Sequence, residues 1–274
     1  CEELTDQSVI ALAQHCSRLN KLELNWCKLT VTSLIALSER GLPLEELNIP
    51  RIPIPSTEIA AQCAHALFRI RELRTDSNAE EIEELLYSIQ YVTGLHELHL
   101  ESSEDHLLVP HLLHLMQEQC CVGLESLYIG PKSSITPQQL SGLVLGCPQL
   151  NTLYSIHANC ISEAVLVELA RSCPHLQEVT LCFCAVTEKS VLALAAHCRQ
   201  LREIILPDVT LTEETVRQLA RHCRYLVKVN MIEYVLVGGL MVERYKHYSR
   251  KEIGALREEV RQRDQTHGCY NTSQ

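Results

Sequence analysis

The side chains in this sequence that could hold a metal ion or act as nucleophiles are its thirteen histidines and fourteen cysteines. Structural zinc sites gather four such ligands, and in sequence they usually announce themselves by CxxC spacing. No CxxC pair occurs. Cys182 and Cys184 stand two apart, so an extended strand points both the same way. With Leu181 buried, Cys182 is expected on the exposed face, and Cys184 turns inward as the strand ends. His96, His99, His106, His111 and His114 are the densest histidine group. His96 and His99 are an odd step apart and face opposite ways on a strand, whereas His111 and His114 share a helix face without a third ligand. They read as surface histidines, and no metal is expected. GxxxxGK[ST], GxSxG and HExxH are absent as well, so neither catalytic residues nor a cofactor are expected.

The elements that position these residues are set by a repeat. A leucine-type residue recurs at 19, 44, 70, 95, 124, 150, 176, 201 and 226, in steps of 25 to 29 residues. Leu176, Val179 and Leu181 follow LxxLxL, and Thr187 to Ala196 then reads as a helix. A period in the twenties carrying LxxLxL is the signature of a leucine-rich-repeat solenoid, an α/β fold with parallel strands on a concave face and helices on the convex one. The repeats are expected over 1–232, about nine of them, with a capping segment and helix over 233–274.

Cysteine marks the repeats. Cys16, Cys121, Cys147, Cys173, Cys198 and Cys223 each precede a repeat-opening leucine by three residues. Together with LTDQSVIALAQHC at 4–16 and LTEETVRQLARHC at 211–223, this resembles the cysteine-containing leucine-rich repeats of the F-box leucine-rich-repeat proteins, the substrate receptors of cullin–RING ubiquitin ligases. The resemblance implies a protein substrate on the repeats, ubiquitination as the output, and a cullin–RING adaptor bound through an F-box if one lies upstream. The chain opens mid-repeat, with Cys1 where Cys27 and Cys184 stand in theirs, so a fragment is the expected reading.

Periodic cysteines at helix ends are expected to be reduced, buried core residues of an intracellular protein, cytoplasmic or nuclear. A net charge of −10 argues against a nucleic-acid partner, and the absence of an eighteen-residue apolar run argues against a membrane span. Thr5, Thr136, Thr187 and Thr212 are expected helix N-caps. The prolines of 50–56 mark an extended connection, and Glu101–His106 is expected to be an edge loop. Val235–Val242 reads as a last strand or a capping turn, and Ser249 with Glu252 as a capping box opening a helix that folds over the end of the core.

Residues between the strand leucines should face the concave side. Its N-terminal half is rich in carboxylates, with Glu23, Glu46, Glu72, Asp76, Glu97 and Glu101 among its positions. Its C-terminal half offers Tyr128, Tyr154, Ile156, Cys182, Ile205 and Ile232 beside Glu178, Thr180, Glu203, Lys228 and Asn230. Apolar and aromatic groups with a polar rim suit a protein or peptide partner. In the sixth repeat, either Ser155 or Ile156 is the buried residue. The expected function is protein recognition, as the substrate-binding repeats of an SCF-type receptor. Alternatives are a ubiquitin-independent scaffold or inhibitor, and an enzyme or enzyme regulator acting through the acidic edge.

Overall fold

A computed structural model describes residues 4–24, 27–48, 52, 54–74, 92, 94–101, 105–117, 123–237 and 240–268. Two compact units, Cys1–Cys147 and Pro148–Gln274, repeat one local order of strand, turn and helix. In the first unit β1 (Lys21–Glu23) pairs parallel with β2 (Glu46–Asn48). There β3 (Glu72–Arg74), β4 (Glu97–Leu100) and β5 (Ser126–Ile129) form another parallel run. Its helices are α1 (Asp6–His15), α2 (Val31–Glu39), α3 (Thr57–Gln62), α4 (Ala64–Leu67), α5 (Asp105–Gln117) and α6 (Pro137–Leu145).

In the second unit β6 (Thr152–Ile156), β7 (Glu178–Cys182), β8 (Glu203–Thr210) and β9 (Lys228–Val237) are parallel, and β10 (Leu240–Tyr248) returns antiparallel to β9. Helices α7 (Glu163–Ser172), α8 (Glu188–His197) and α9 (Glu213–His222) alternate with these strands, and α10 (Arg250–Gly268) ends the unit. Residues 238 and 239 of the Val235–Val242 stretch lie outside the described residues, and strand pairing runs up to them on both sides.

Strand alternation builds the core. Leu153, Val179, Ile204 and Val229 are register partners across four strands, and all are fully buried. Leu181 is fully buried too, opposite Ser155. The open choice in the sixth repeat is thereby settled: Ser155 is buried and Ile156 is half-exposed. Two expectations need correction. Asp105 and His106 are not loop residues but open α5, and Asp105 is fully buried. Cys16 is only half-buried, whereas Cys147, Cys173, Cys198 and Cys223 have no exposed surface.

The buried cysteines have a second role besides filling space. A helix leaves its last carbonyls without partners. The Cys198 thiol donates to the carbonyls of Ala170 and Cys173 at 3.6 Å each. One repeat later, the Cys223 thiol donates to the carbonyls of Ala195 (3.9 Å) and Cys198 (3.5 Å). A thiol is small and apolar enough for the core and still a weak donor, which suits this position. Burial pushes the Cys173 and Cys223 thiols up to about 12 and raises Cys198 as well, so they remain protonated donors. After α9 the next donor comes from elsewhere. Arg257 of α10 donates through Nε to the Ala220 carbonyl (2.9 Å) and through Nη2 to those of Cys223 (2.7 Å) and Leu226 (3.0 Å). Ile253 and Leu256 of α10 are buried alongside, and Ser249 opens the helix by donating its N–H to Glu252 Oε2 at 2.8 Å.

At the other end of the helices, capping side chains are linked from repeat to repeat. Thr30, Thr136, Ser162, Thr187 and Thr212 each accept a first-turn N–H of their own helix. Asp6, the first residue of α1, accepts from Thr30 N (2.9 Å), Thr30 Oγ1 (2.7 Å) and Ser33 Oγ (2.5 Å). Glu163 opens α7 and accepts from Thr187 Oγ1 and Lys189 Nζ, both at 2.6 Å. Glu188 opens α8 and accepts from Thr212 N (2.5 Å) and Thr215 Oγ1 (3.1 Å). Each acid sits where the helix dipole favours it and ties down the cap of the next helix.

These bonds depress the carboxyl pKa values. Burial pushes Asp6 up, but the Ser33 and Thr30 hydrogen bonds outweigh it. The Lys189 and Thr187 bonds lower Glu163, and the Thr212 backbone and hydroxyl lower Glu188. A folded value below the unfolded one gives stability that is complete above the unfolded pKa and lost as the pH falls through the folded one. Wild-type protein should therefore lose stability below about pH 4.5. The Glu163→Gln/Glu188→Gln variant should be weaker at pH 7 but show a flatter acid limb. Urea midpoints between about pH 7 and 3 test this, and an identical acid slope in both proteins would rule out the linkage.

Candidate functional site

The strand pairing of the second unit sorts the predicted partner-binding residues into rows on the sheet face opposite the buried ladder. Thr152, Glu178, Glu203 and Lys228 form one row. Lys228 Nζ lies 3.0 Å from Glu203 Oε2, while Glu178 is exposed. The next row is Tyr154, Thr180, Ile205 and Asn230. Tyr154 is 38% exposed, Thr180 and Ile205 are half-exposed, and Asn230 Oδ1 is hydrogen-bonded to His247 Nδ1 of β10. Ile156 and Cys182 make a third, shorter row. The face therefore offers an aromatic and aliphatic strip beside an ion pair and an amide.

Ile232 does not belong to it. Only 8% of Ile232 is exposed, and the preceding Met231 is buried as well. The register slips here: Ile205 is opposite Asn230 but Thr210 is opposite Ile232, so β8 carries three extra residues beside this step of β9. Simple alternation ends at that irregularity.

The strip continues into a feature that alternation does not reveal. His157 and Phe183 follow β6 and β7 one period apart, both with φ of 54°. This left-handed backbone is uncommon for side chains of that size. It turns the two rings onto one another, with centroids 4.2 Å apart and planes within 3°. Phe183 stays 61% exposed. The period-spaced pair His157/Phe183 was the available sequence signal.

Cys182 and Cys184 are not chemically activated. Burial, then Asp208 and then Cys184, raises the Cys182 thiol. Burial also raises Cys184 despite hydrogen bonds at Ala158 and Ser155. Raised thiols are poor nucleophiles and poor metal ligands at neutral pH.

Tyr128, the remaining predicted residue, belongs to the first unit, where it is half-buried opposite His99 in the β4–β5 register. The two rings stack at 4.1 Å with planes within 4°. His96, His106, His111 and His114 are exposed as expected. His99 is not a surface histidine: 6% of it is accessible, because Tyr128 covers it. Its Nε2 lies 3.5 Å from Glu72 Oε1 and 3.7 Å from Glu97 Oε2. These three groups, on β3 and β4, are the one His/Cys/Asp/Glu cluster with metal-ligand spacing among the described residues.

No helix among the described residues is long and apolar enough to cross a membrane. Comparison with protein-family models finds no match, and comparison with curated proteins finds none. Among solved structures, the chain is similar to a chain of the Rad7–Elc1 complex from yeast, with 17% identity and a TM-score of 0.52. The match covers 80% of this chain and 65% of that one, so this chain spans about two thirds of its length. Leucine-rich-repeat protein LegL7 of Legionella pneumophila is 12% identical over 85% of this chain and 89% of its own, with a TM-score of 0.45. An internalin, InlF of Listeria monocytogenes, is 14% identical over 81% and 75%, with a TM-score of 0.40. With the period and the parallel strands above, the fold of this chain is the α/β leucine-rich repeat.

Proposed function

We propose that this chain is a non-catalytic protein-recognition module that holds a protein or peptide on the sheet face of its second unit. The supporting observation is the row Tyr154–Thr180–Ile205–Asn230, in which solvent-facing apolar groups lie beside the Glu203–Lys228 ion pair. Aromatic anchors with a polar surround are what binding hot spots require, and a parallel sheet holds them rigidly in register. Within this reading, the chain is the substrate-binding part of a cullin–RING ubiquitin ligase receptor. The cysteine-marked repeats support it, as does the similarity to a chain crystallised in the Rad7–Elc1 complex.

Tyr154→Ala and Ile205→Ala should each weaken capture of a specific partner about thirtyfold or more, as expected for hot-spot truncations of about 2 kcal/mol, without lowering the melting temperature appreciably. Quantitative affinity purification with wild-type protein as reference provides the measurement. Full retention of every partner by both folded variants would move the site off this face. A partner whose cellular level rises when the gene is deleted supports the ligase role; a partner that binds with unchanged turnover supports a scaffold.

A further inference from the structure

We propose that Glu72, Glu97 and His99 form a binding site for a divalent transition-metal cation of the zinc class. The argument starts from register. Glu72 and Glu97 are direct partners on the parallel strands β3 and β4, and His99 is the next residue of β4 on the same face. Like charges placed opposite each other across a strand pair are destabilising. A cation held between them reverses that sign.

The spacing is that of ligands sharing an ion. His99 Nε2 stands 3.5 Å and 3.7 Å from the two carboxylate oxygens, and all three ligand atoms lie within 4.8 Å of one another. A direct N–H···O bond is normally about 2.7–3.2 Å long. Two ligands held by zinc at about 2.0–2.1 Å in tetrahedral geometry are about 3.3–3.4 Å apart. The two His99 separations are longer than a direct bond and nearer the second geometry, so the carboxylates would close in by a few tenths of an ångström on an ion.

The imidazole is also fixed in place before any ion arrives. Tyr128 stacks flat on it, and only 7% of the His99 side chain is exposed. The Glu97 side chain is 45% exposed and the Glu72 side chain 17%, so the cluster opens to solvent on one side. An imidazole with two carboxylates favours zinc and its first-row neighbours over calcium or magnesium, which prefer all-oxygen shells. Three protein ligands leave a fourth position for water or for a side chain of a bound partner.

The test uses the full chain after chelator treatment. Calorimetric titration with Zn²⁺ should show one saturable equivalent. Titration with Co²⁺ should give visible d–d bands without the intense near-ultraviolet absorption of thiolate ligation. Glu72→Gln and Glu97→Gln should each weaken Zn²⁺ binding at least tenfold, and His99→Gln should abolish it. Circular dichroism melts of the metal-free proteins verify that the variants are folded, and the Glu97 variant is the safest because that side chain is half in solvent. Absence of saturable binding, a thiolate band, or affinity unchanged in the folded glutamine variants would each overturn the site.

Discussion

Leu181→Ala is expected to lower the unfolding free energy by about 2–5 kcal/mol, the range for removing a buried leucine whose surroundings relax only in part. Leu181 is fully buried on β7, and its register neighbour in β6 is Ser155, too small to move into the space left behind. Strands on a period of about 25 residues also have little freedom to slide, because each is pinned on both sides. Thr180→Ala, one residue away on the opposite face, should cost less than about 1 kcal/mol. Urea unfolding of the two variants at neutral pH makes the comparison. Equal losses would mean that the faces of β7 are assigned the wrong way round.

The second large effect is expected from Arg257. Its guanidinium holds the carbonyls of Ala220, Cys223 and Leu226, two of which are the counterparts of those that a cysteine thiol serves one repeat earlier. Arg257→Ala removes a charged fork and leaves three carbonyls at the end of α9 without it. Bonds to charged groups contribute roughly 1.5–3 kcal/mol each and share one immobilised side chain here, so a total near 3 kcal/mol is expected. Lysine has the charge but not the planar fork and should restore only part. Hydrogen exchange should show the loss concentrated in α9 and α10. A uniform loss through the second unit, or full rescue by Arg257→Lys, would contradict the capping role.

The period, most strand faces and several N-caps were legible because they are local: leucines two and three apart, and Thr136, Thr187 or Thr212 just before a helix. His99 was misread because its burial is decided 29 residues away, by the ring of Tyr128. Ile232 was misread because β8 inserts three residues beside it, and no count along β9 contains that fact. The carboxylate links left a trace that was overlooked. Asp6 and Thr30, Glu163 and Thr187, and Glu188 and Thr212 are each 24 residues apart. Single positions of either type are common at helix starts, and the constant offset between them carries the information.

That constant offset makes the second unit tolerant of editing in whole periods. Excising residues 178–202 would join Gln177 to Glu203 and bring Thr212 into the place of Thr187, so that Glu163 still meets a threonine. Cys223 would likewise stand where Cys198 stood, and Ile204 where Val179 stood. The discords would be Glu214 in the place of Lys189, opposite Glu163, and Asp208 in the place of Phe183, where the ring stacked on His157 is lost. A chain wired at fixed intervals can thus lengthen or shorten by duplication or loss of 25-residue blocks without re-inventing its joints, provided the cut falls anywhere in phase.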